Sequence, residues 1–397
     1  MTHPRSSTPG ADDLDAVRVL DHLVQRAVAT GASDIHVEPK RKSLRVRFRI
    51  DGVMAEQGSL PPELAPALVT RVKVLGRMDM TIRMVPQDGQ FSLELADTRL
   101  VHLRASTFPA IHGENLVMRV LLGHQLIDLA RLGMDEDELD TVRRLTSLSS
   151  GLIIVCGPTG SGKTSTLYSM LQQLDTANLS VVTLEDPIEV EFGEVTQGQT
   201  NVRQGFSFAT GLRAILRQDP DVILVGEMRD AETAQIALQA SLTGHLVLST
   251  LHTSSTVETI ARIVDLGAEP WIVGNALQAV IAQRLVRVLC KHCSIEYPAP
   301  NDLTASPEDD RVVIAKDTVL RRSKGCEVCH KTGYSGRTGI FEVLELDDDV
   351  RDLIKARAAT RSYKDYVNEM GLRRLREVGL LRVKSGATSL EEVLRVT

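Results

Sequence analysis

The sequence predicts an α/β protein: a parallel-sheet domain carrying a phosphate-binding loop, preceded by a small α+β domain and followed by a cysteine-bearing module and a helical end. Three observations predict it. Between about residues 135 and 287, short apolar runs alternate with helical spacings, as strands and crossover helices do in a parallel sheet. The run Gly157-Pro158-Thr159-Gly160-Ser161-Gly162-Lys163-Thr164 satisfies G-x-x-x-x-G-K-[ST] between such a strand and such a helix. Two C-x-x-C pairs, Cys290/Cys293 and Cys326/Cys329, follow that domain.

Composition bounds the reading. A chain of 397 residues has room for roughly two to four cores. Its 43% hydrophobic and 25% charged content are those of an ordinary soluble globular protein. A formal net charge of −6 and only 3% aromatics argue against a general nucleic-acid surface and against base stacking. No run approaches the ~18 apolar residues of a membrane span. Residues 1–13 lack the apolar core of a signal peptide and read as a flexible tail, so a cytoplasmic location is expected. Cysteines stay reduced there, and paired ones point to metal before disulfide.

Taken in order, Leu14, Val17, Leu20, Leu23, Val24, Ala27 and Val28 line one face of a helix that Gly31 stops. Strands are expected at 34–38, 44–50, 91–95, 100–107 and 116–121, with a helix at about 63–78 between them. This α+β domain occupies 14–122, and 123–134 reads as its linker. In the α/β domain, 135–287, strands are expected at 152–156, 180–184, 222–225 and 246–250. The cysteine module spans 288–346, interrupted by a loop-like stretch at 298–310, and 347–397 reads as helical. In the strand 44–50, alternation puts Arg45, Arg47 and Arg49 on one face, either as a solvated surface or as phosphate-seeking arginines.

The glycine loop carries the clearest chemistry. Its backbone N–H groups and the helix N-terminus after it converge on phosphate, and a Cβ would block that approach. Lys163 then reaches the β- and γ-phosphates, the Thr164 hydroxyl serves Mg²⁺, and Ser165 continues the first turn. No N-K-x-D guanine selector is visible, which favours ATP. Four apolar residues of Asp221–Gly226 lead to Glu227, the pattern of a Walker B strand. An acid there lies at the crevice where ligands bind and can serve Mg²⁺ through water or orient the attacking water. Glu185, in Thr183-Leu-Glu-Asp-Pro-Ile-Glu189, closes the neighbouring strand as a second candidate base. His245 and His252 flank another buried strand and are candidate γ-phosphate donors. The four cysteines complete a tetrahedral thiolate set suited to structural Zn²⁺, with His292 and His330 adjacent, whereas Cys156 reads as core.

These motifs, in this order, resemble the type II/type IV secretion ATPases, the GspE/PilB family of type II secretion motors and type IV pilus assembly ATPases. The resemblance runs from about residue 15 and includes Asp34-Ile-His-Val-Glu-Pro39, Arg45–Gly52 and Val85-Pro-Gln-Asp-Gly89. It implies a RecA-like P-loop ATPase core, a PAS-like N2 domain before it, and a homohexameric Mg-ATP motor at the cytoplasmic membrane face that assembles pilin-like subunits. Such a motor docks on an inner-membrane platform protein and is not expected to bind nucleic acid. The nucleotide roles map onto Lys163, Thr164, Glu185 and Glu227, the histidine box onto His245 and His252, and arginine contacts across subunits onto Arg104 and Arg119. Retraction motors of this kind lack the four cysteines, which favours assembly or secretion over retraction, and the acidic balance argues against a nucleic-acid translocase built on the same core. Two departures stand out. Met84 and Gln90 occupy places where the family usually has arginines, and only a short tail precedes residue 14, so the family's membrane-docking N-terminal domain is expected to be absent or truncated.

Overall fold

The computed structural model describes residues 16–95, 98–121, 126–306 and 309–397; the expected tail and the start of the expected linker lie outside them. The chain forms two compact units, one up to His124 and one from Gln125 to Thr397.

In the N-terminal unit, α1 (Ala16–Ala29), β1 (Ala32–Pro39), β2 (Leu44–Ile50), β3 (Val53–Leu60), α2 (Leu64–Leu75), β4 (Gln87–Glu94), β5 (Leu100–Ala110) and β6 (Gly113–Leu121) follow in order. The strands make one antiparallel sheet in the order β3-β2-β1-β6-β5-β4. Alternation decides its two faces. Ile35, Val37, Val46, Phe48, Leu103 and Met118 are buried in one core with Leu20 and Val24 of α1 and Leu68 and Val72 of α2. The arginines of β2 are neither free nor merely solvated: Arg45 pairs with Glu56 at 2.6 Å, Arg47 with Glu38, and Arg49 with Asp34 at 3.6 Å. Opposed acids on the flanking strands thus relieve the like-charge repulsion. The sequence reading missed β3. Its residues, half-buried or exposed, show no apolar alternation, yet Asp51 and Gly52, at φ 48° and 81°, form the two-residue turn that announces a hairpin.

The second unit contains α3 (Glu136–Thr146), β7 (Gly151–Cys156), α4 (Lys163–Leu171), β8 (Val181–Glu185), β9 (Thr196–Gln199), α5 (Phe208–Ile215), β10 (Val222–Val225), α6 (Ala231–Leu242), β11 (Leu246–Leu251), α7 (Thr256–Asp265), α8 (Pro270–Ala276) and β12 (Leu277–Leu289). After these come β13 (Ile295–Pro298), β14 (Leu303–Ser306), β15 (Asp309–Ile314), β16 (Val319–Arg322), β17 (Tyr334–Glu345), α9 (Asp348–Lys355), α10 (Thr360–Glu369), α11 (Leu375–Lys384) and α12 (Leu390–Val396). The main sheet runs β17-β12-β7-β11-β10-β8-β9, parallel throughout except for β17 at one edge. Leu152, Ile154 and Cys156 pack on one side of it and Ile153 and Val155 on the other, so β7 is buried on both faces. That explains its unbroken apolar run. Because Cys156 pairs with Leu251 and Val225 with both Ser249 and Leu184, the loops after β7, β8, β10 and β11 leave the sheet along one edge.

The stretch expected to be a loop at 298–310 instead holds β14 and the start of β15, an antiparallel pair. With β13 and β16, also paired, it accounts for the long gap between the two cysteine pairs.

The helical end is docked by a buried acid. Glu392 of α12, 1% exposed, accepts from the Arg287 N–H at 3.1 Å and from the Arg287 and Arg395 guanidiniums at 2.8 and 2.6 Å. Burial alone would raise its pKa, but these donors overcome it and pull the carboxyl down to about 2. A folded pKa below the unfolded value of 4.5 contributes stability above that pH and loses it as pH falls toward 2. Glu392→Gln is expected to cost about 3 kcal/mol at neutral pH. Thermal melts should also show that the variant loses less stability than the parent between those two pH values; equal acid sensitivity would refute the assignment.

Candidate functional site

The glycine loop leaves β7 and enters α4 with the backbone shape that phosphate binding needs. Gly162 caps α4 at φ 90°, and a Cβ there would meet the Gln283 amide nitrogen at 2.8 Å. Gly157 is equally constrained: a Cβ would stand 2.6 Å from the Gln283 carbonyl oxygen. Pro158, Thr159 and Gly160 are exposed at the tip, as is Thr164, with Ser165 partly exposed beside it. Ser161 is 4% exposed and its hydroxyl has no hydrogen-bond partner, an orphaned polar atom inside the loop. Lys163 is 8% exposed and donates to the carbonyls of Gly157 at 2.9 Å and Pro158 at 3.1 Å. Burial pushes its ammonium below the usual lysine value, opposed by the negative charge of Glu227 among others. A cradle closed to a Cβ at Gly157 and Gly162, an unsatisfied hydroxyl and a buried cation whose described partners are carbonyls fit a polyphosphate.

The acids at the strand ends differ in their surroundings. Glu185, 3% exposed, accepts from Tyr168, from the Thr183 hydroxyl at 2.7 Å and from the Gln197 amide at 3.2 Å. Burial, then this bond, raises the Tyr168 phenol above its ordinary value. Glu227 follows β10, where the Thr250 hydroxyl donates to the Gly226 carbonyl at 2.7 Å and the Met228 N–H to the Thr250 carbonyl at 3.1 Å. Its carboxylate pairs with Arg229 and lies 3.4 Å from His252 Nε2. Arg229 also reaches Asp186 at 3.7 Å, tying the loops after β8, β10 and β11 together.

His245 requires a correction. It precedes β11 while His252 follows it, and a six-residue strand separates its ends by ~20 Å. The His245 ring instead lies 2.9 Å from the Ala240 carbonyl, at the sheet edge opposite the glycine loop. Arg104 and Arg119 belong to the N-terminal unit, as register partners on β5 and β6, and Arg119 donates to Asp34 at 3.1 Å. Sequence reasoning missed Arg229, two residues beyond Glu227, and Gln283, whose amide oxygen accepts from Thr166 Oγ1 at 2.7 Å. The charged string Glu-Met-Arg-Asp was a signal for the first; nothing local signals the second.

The cysteine pairs meet because β12 and β17 are partners, with Leu289 opposite Tyr334. The four Sγ atoms lie within 4.8 Å of one another, with Cys290–Cys326, Cys293–Cys329 and Cys326–Cys329 at 3.9, 3.8 and 3.7 Å. A tetrahedral ion with bonds of about 2.3 Å requires sulfur separations of ~3.8 Å, so this donor set fits Zn²⁺. His292 and His330 are not in the group. Burial raises the Cys329 thiol, but N–H groups of Cys326 and Gly333, each 3.2 Å from its sulfur, help bring it down to about 6.

Comparison with known proteins agrees with this geometry. The sequence model of the family described as Type II/IV secretion system protein matches residues 10–395. The chain is 45% identical over 387 residues to the type II secretion system ATPase E of Vibrio cholerae serotype O1, covering 97% of this chain and 76% of that one. It is 42% identical over 396 residues to the type IV pilus assembly ATPase TfpB of Acinetobacter baylyi, covering 98% and 67%. The solved structure of the pilus retraction motor PilT with bound ADP superposes with a TM-score of 0.61 at 27% identity, covering 95% of this chain and 96% of that one. A glycine loop between strand and helix, acids gathered at the strand ends and a four-thiolate cluster, carried on a sequence this similar, place the chain in the type II/IV secretion system protein family.

Proposed function

We propose that this chain is an ATP-hydrolysing motor that drives the assembly of pilin-like filaments for type II secretion or type IV pilus biogenesis. The observation that carries it is the loop itself: a buried Lys163, an orphaned Ser161 hydroxyl and two glycines that admit no side chain, facing Glu227 and His252. In this reading residues 135–287 form a RecA-like core and 14–122 a PAS-like N2 domain, with a tetracysteine module and a helical region following. Six copies form a ring at the cytoplasmic face of the inner membrane, docked on a platform protein. Among the described residues no helix is long and apolar enough to cross a membrane.

The loop N–H groups and Lys163 would hold the β- and γ-phosphates, and Thr164, with Glu227 through water, would hold Mg²⁺, whose charge would offset that developing on the phosphates. Glu227 takes the attacking water's proton, because Glu185 already accepts from three protein donors, and Glu185 braces the neighbouring strand end. His252, facing Glu227, donates to the γ-phosphate and senses its loss. Arg104 and Arg119 reach the phosphates from the N-terminal unit of a neighbouring copy. Positioning and electrostatics supply most of the acceleration, and release of the γ-phosphate frees the closed arrangement.

Purified protein should hydrolyse ATP only with Mg²⁺, faster with the inner-membrane protein that co-purifies with it. A zinc-loaded ring with no turnover in either condition would end this reading. The four thiolates serve structure, since four protein ligands leave no open position. Elemental analysis should find one zinc per chain and none in Cys329→Ser, whose Tm should fall by several degrees. Equal zinc in both would refute the site.

A further inference from the structure

Beside the nucleotide site, β12 carries a buried arginine that no part of the proposed chemistry uses. Arg284 is 9% exposed and its guanidinium donates in three directions. Nη2 reaches the Ser254 carbonyl at 2.8 Å, Nη1 the Gln283 carbonyl at 2.9 Å, and Nε the Val396 carbonyl at 3.1 Å. Among the described residues it forms no ion pair. Burial pushes it below the usual arginine value, with Cys156, Glu342 and Glu258 opposing. Placing an unpaired cation there is costly, and an apolar side chain of similar size often serves stability as well or better. The three acceptors are informative together. Ser254 lies two residues past His252, in the loop from β11 to α7. Gln283 binds α4 through Thr166 and crowds Gly157 and Gly162. Val396 ends α12, which Glu392 fixes to the same strand three residues on.

We propose that Arg284 is a positioning residue that ties the C-terminal helix to the His252 loop, so that the docking of α12 sets where His252 stands against Glu227. The idea rests on the motor reading for its consequence but not for its geometry. The planar fork spans three carbonyls from three segments, which the point charge of a lysine cannot do. With Arg284 gone, the 252–255 loop loses this tie to β12 and to the end of the chain, while the glycine loop keeps its own bonds.

Two variants, Arg284→Met and Arg284→Lys, test this in the full chain. Hydrogen exchange read by mass spectrometry should be at least about threefold faster across residues 252–255 in both, with β7 and α4 unchanged. Unchanged exchange in that loop overturns the proposal whether or not the protein hydrolyses ATP. In turnover, kcat should fall about tenfold or more with KM for ATP within about threefold, since a small misplacement costs rate before binding. Placed on His252→Ala, either variant should cost nothing further. Losses that multiply, or full activity in Arg284→Lys, overturn it. A parent protein inert toward ATP condemns the motor reading instead, and the exchange result still decides this one.

Discussion

Lys163→Ala is expected to weaken binding of a non-hydrolysable ATP analogue by roughly a hundredfold, about 3 kcal/mol, with Tm close to that of the parent. The size follows from the setting of the side chain. Lys163 is buried, and the partners described for it, the carbonyls of Gly157 and Pro158, are neutral. A phosphate is therefore a far stronger partner than those it has, and a charge-assisted bond in a dry cradle is worth more than one at the surface. The pH dependence has a fixed sign. Burial holds the ammonium below its usual value. Affinity should therefore fall as pH rises through that lowered value, earlier than a solvent-exposed lysine would allow. Calorimetry with the analogue reads both effects. Unchanged affinity in Lys163→Ala would remove the glycine loop from the phosphate site and the motor reading with it.

Glu227→Gln should leave analogue binding within about threefold while turnover falls by roughly 10² to 10⁴. The amide keeps the shape and can still bond Arg229 and His252, but it cannot take a proton. Arg229 retains Asp186 at 3.7 Å, so the loops stay tied. Turnover above a tenth of the parent rate would move the base to another group. Glu185 is the poorer candidate, since Tyr168, Thr183 and Gln197 already occupy its carboxylate.

Much of the site was legible in the sequence, because its parts are local or follow from one rule about sheets. The glycine loop is a run of contiguous residues whose backbone shape depends on each other alone. Glu185 and Glu227 could be placed because parallel strands present their C-terminal ends along one edge. The same rule misled where it was applied to both ends of one strand: His245 and His252 share a motif but not an edge. The hairpin of β3 was signalled by Asp51-Gly52 yet overlooked, since this half-buried edge strand carries no apolar alternation. Lys73 shows a further blind spot. Nothing local marks it, yet on α2 it is 1% exposed, paired with Glu114 and donating to the Ile82 carbonyl at 2.6 Å.

By itself, then, the amino-acid order determined the glycine loop, the acids at the strand ends beside it, the paired thiols and the family they announce, because each is encoded within a few neighbouring positions. Tertiary structure alone decided that β12 lies beside β7, with Ala282 opposite Cys156. That pairing brings Gln283 and Arg284 to the glycine loop, the His252 loop and the last turn of the chain. Sheet order joins residues more than a hundred positions apart, and a contact of that range is set by how whole faces pack, leaving no mark in any local run of residues.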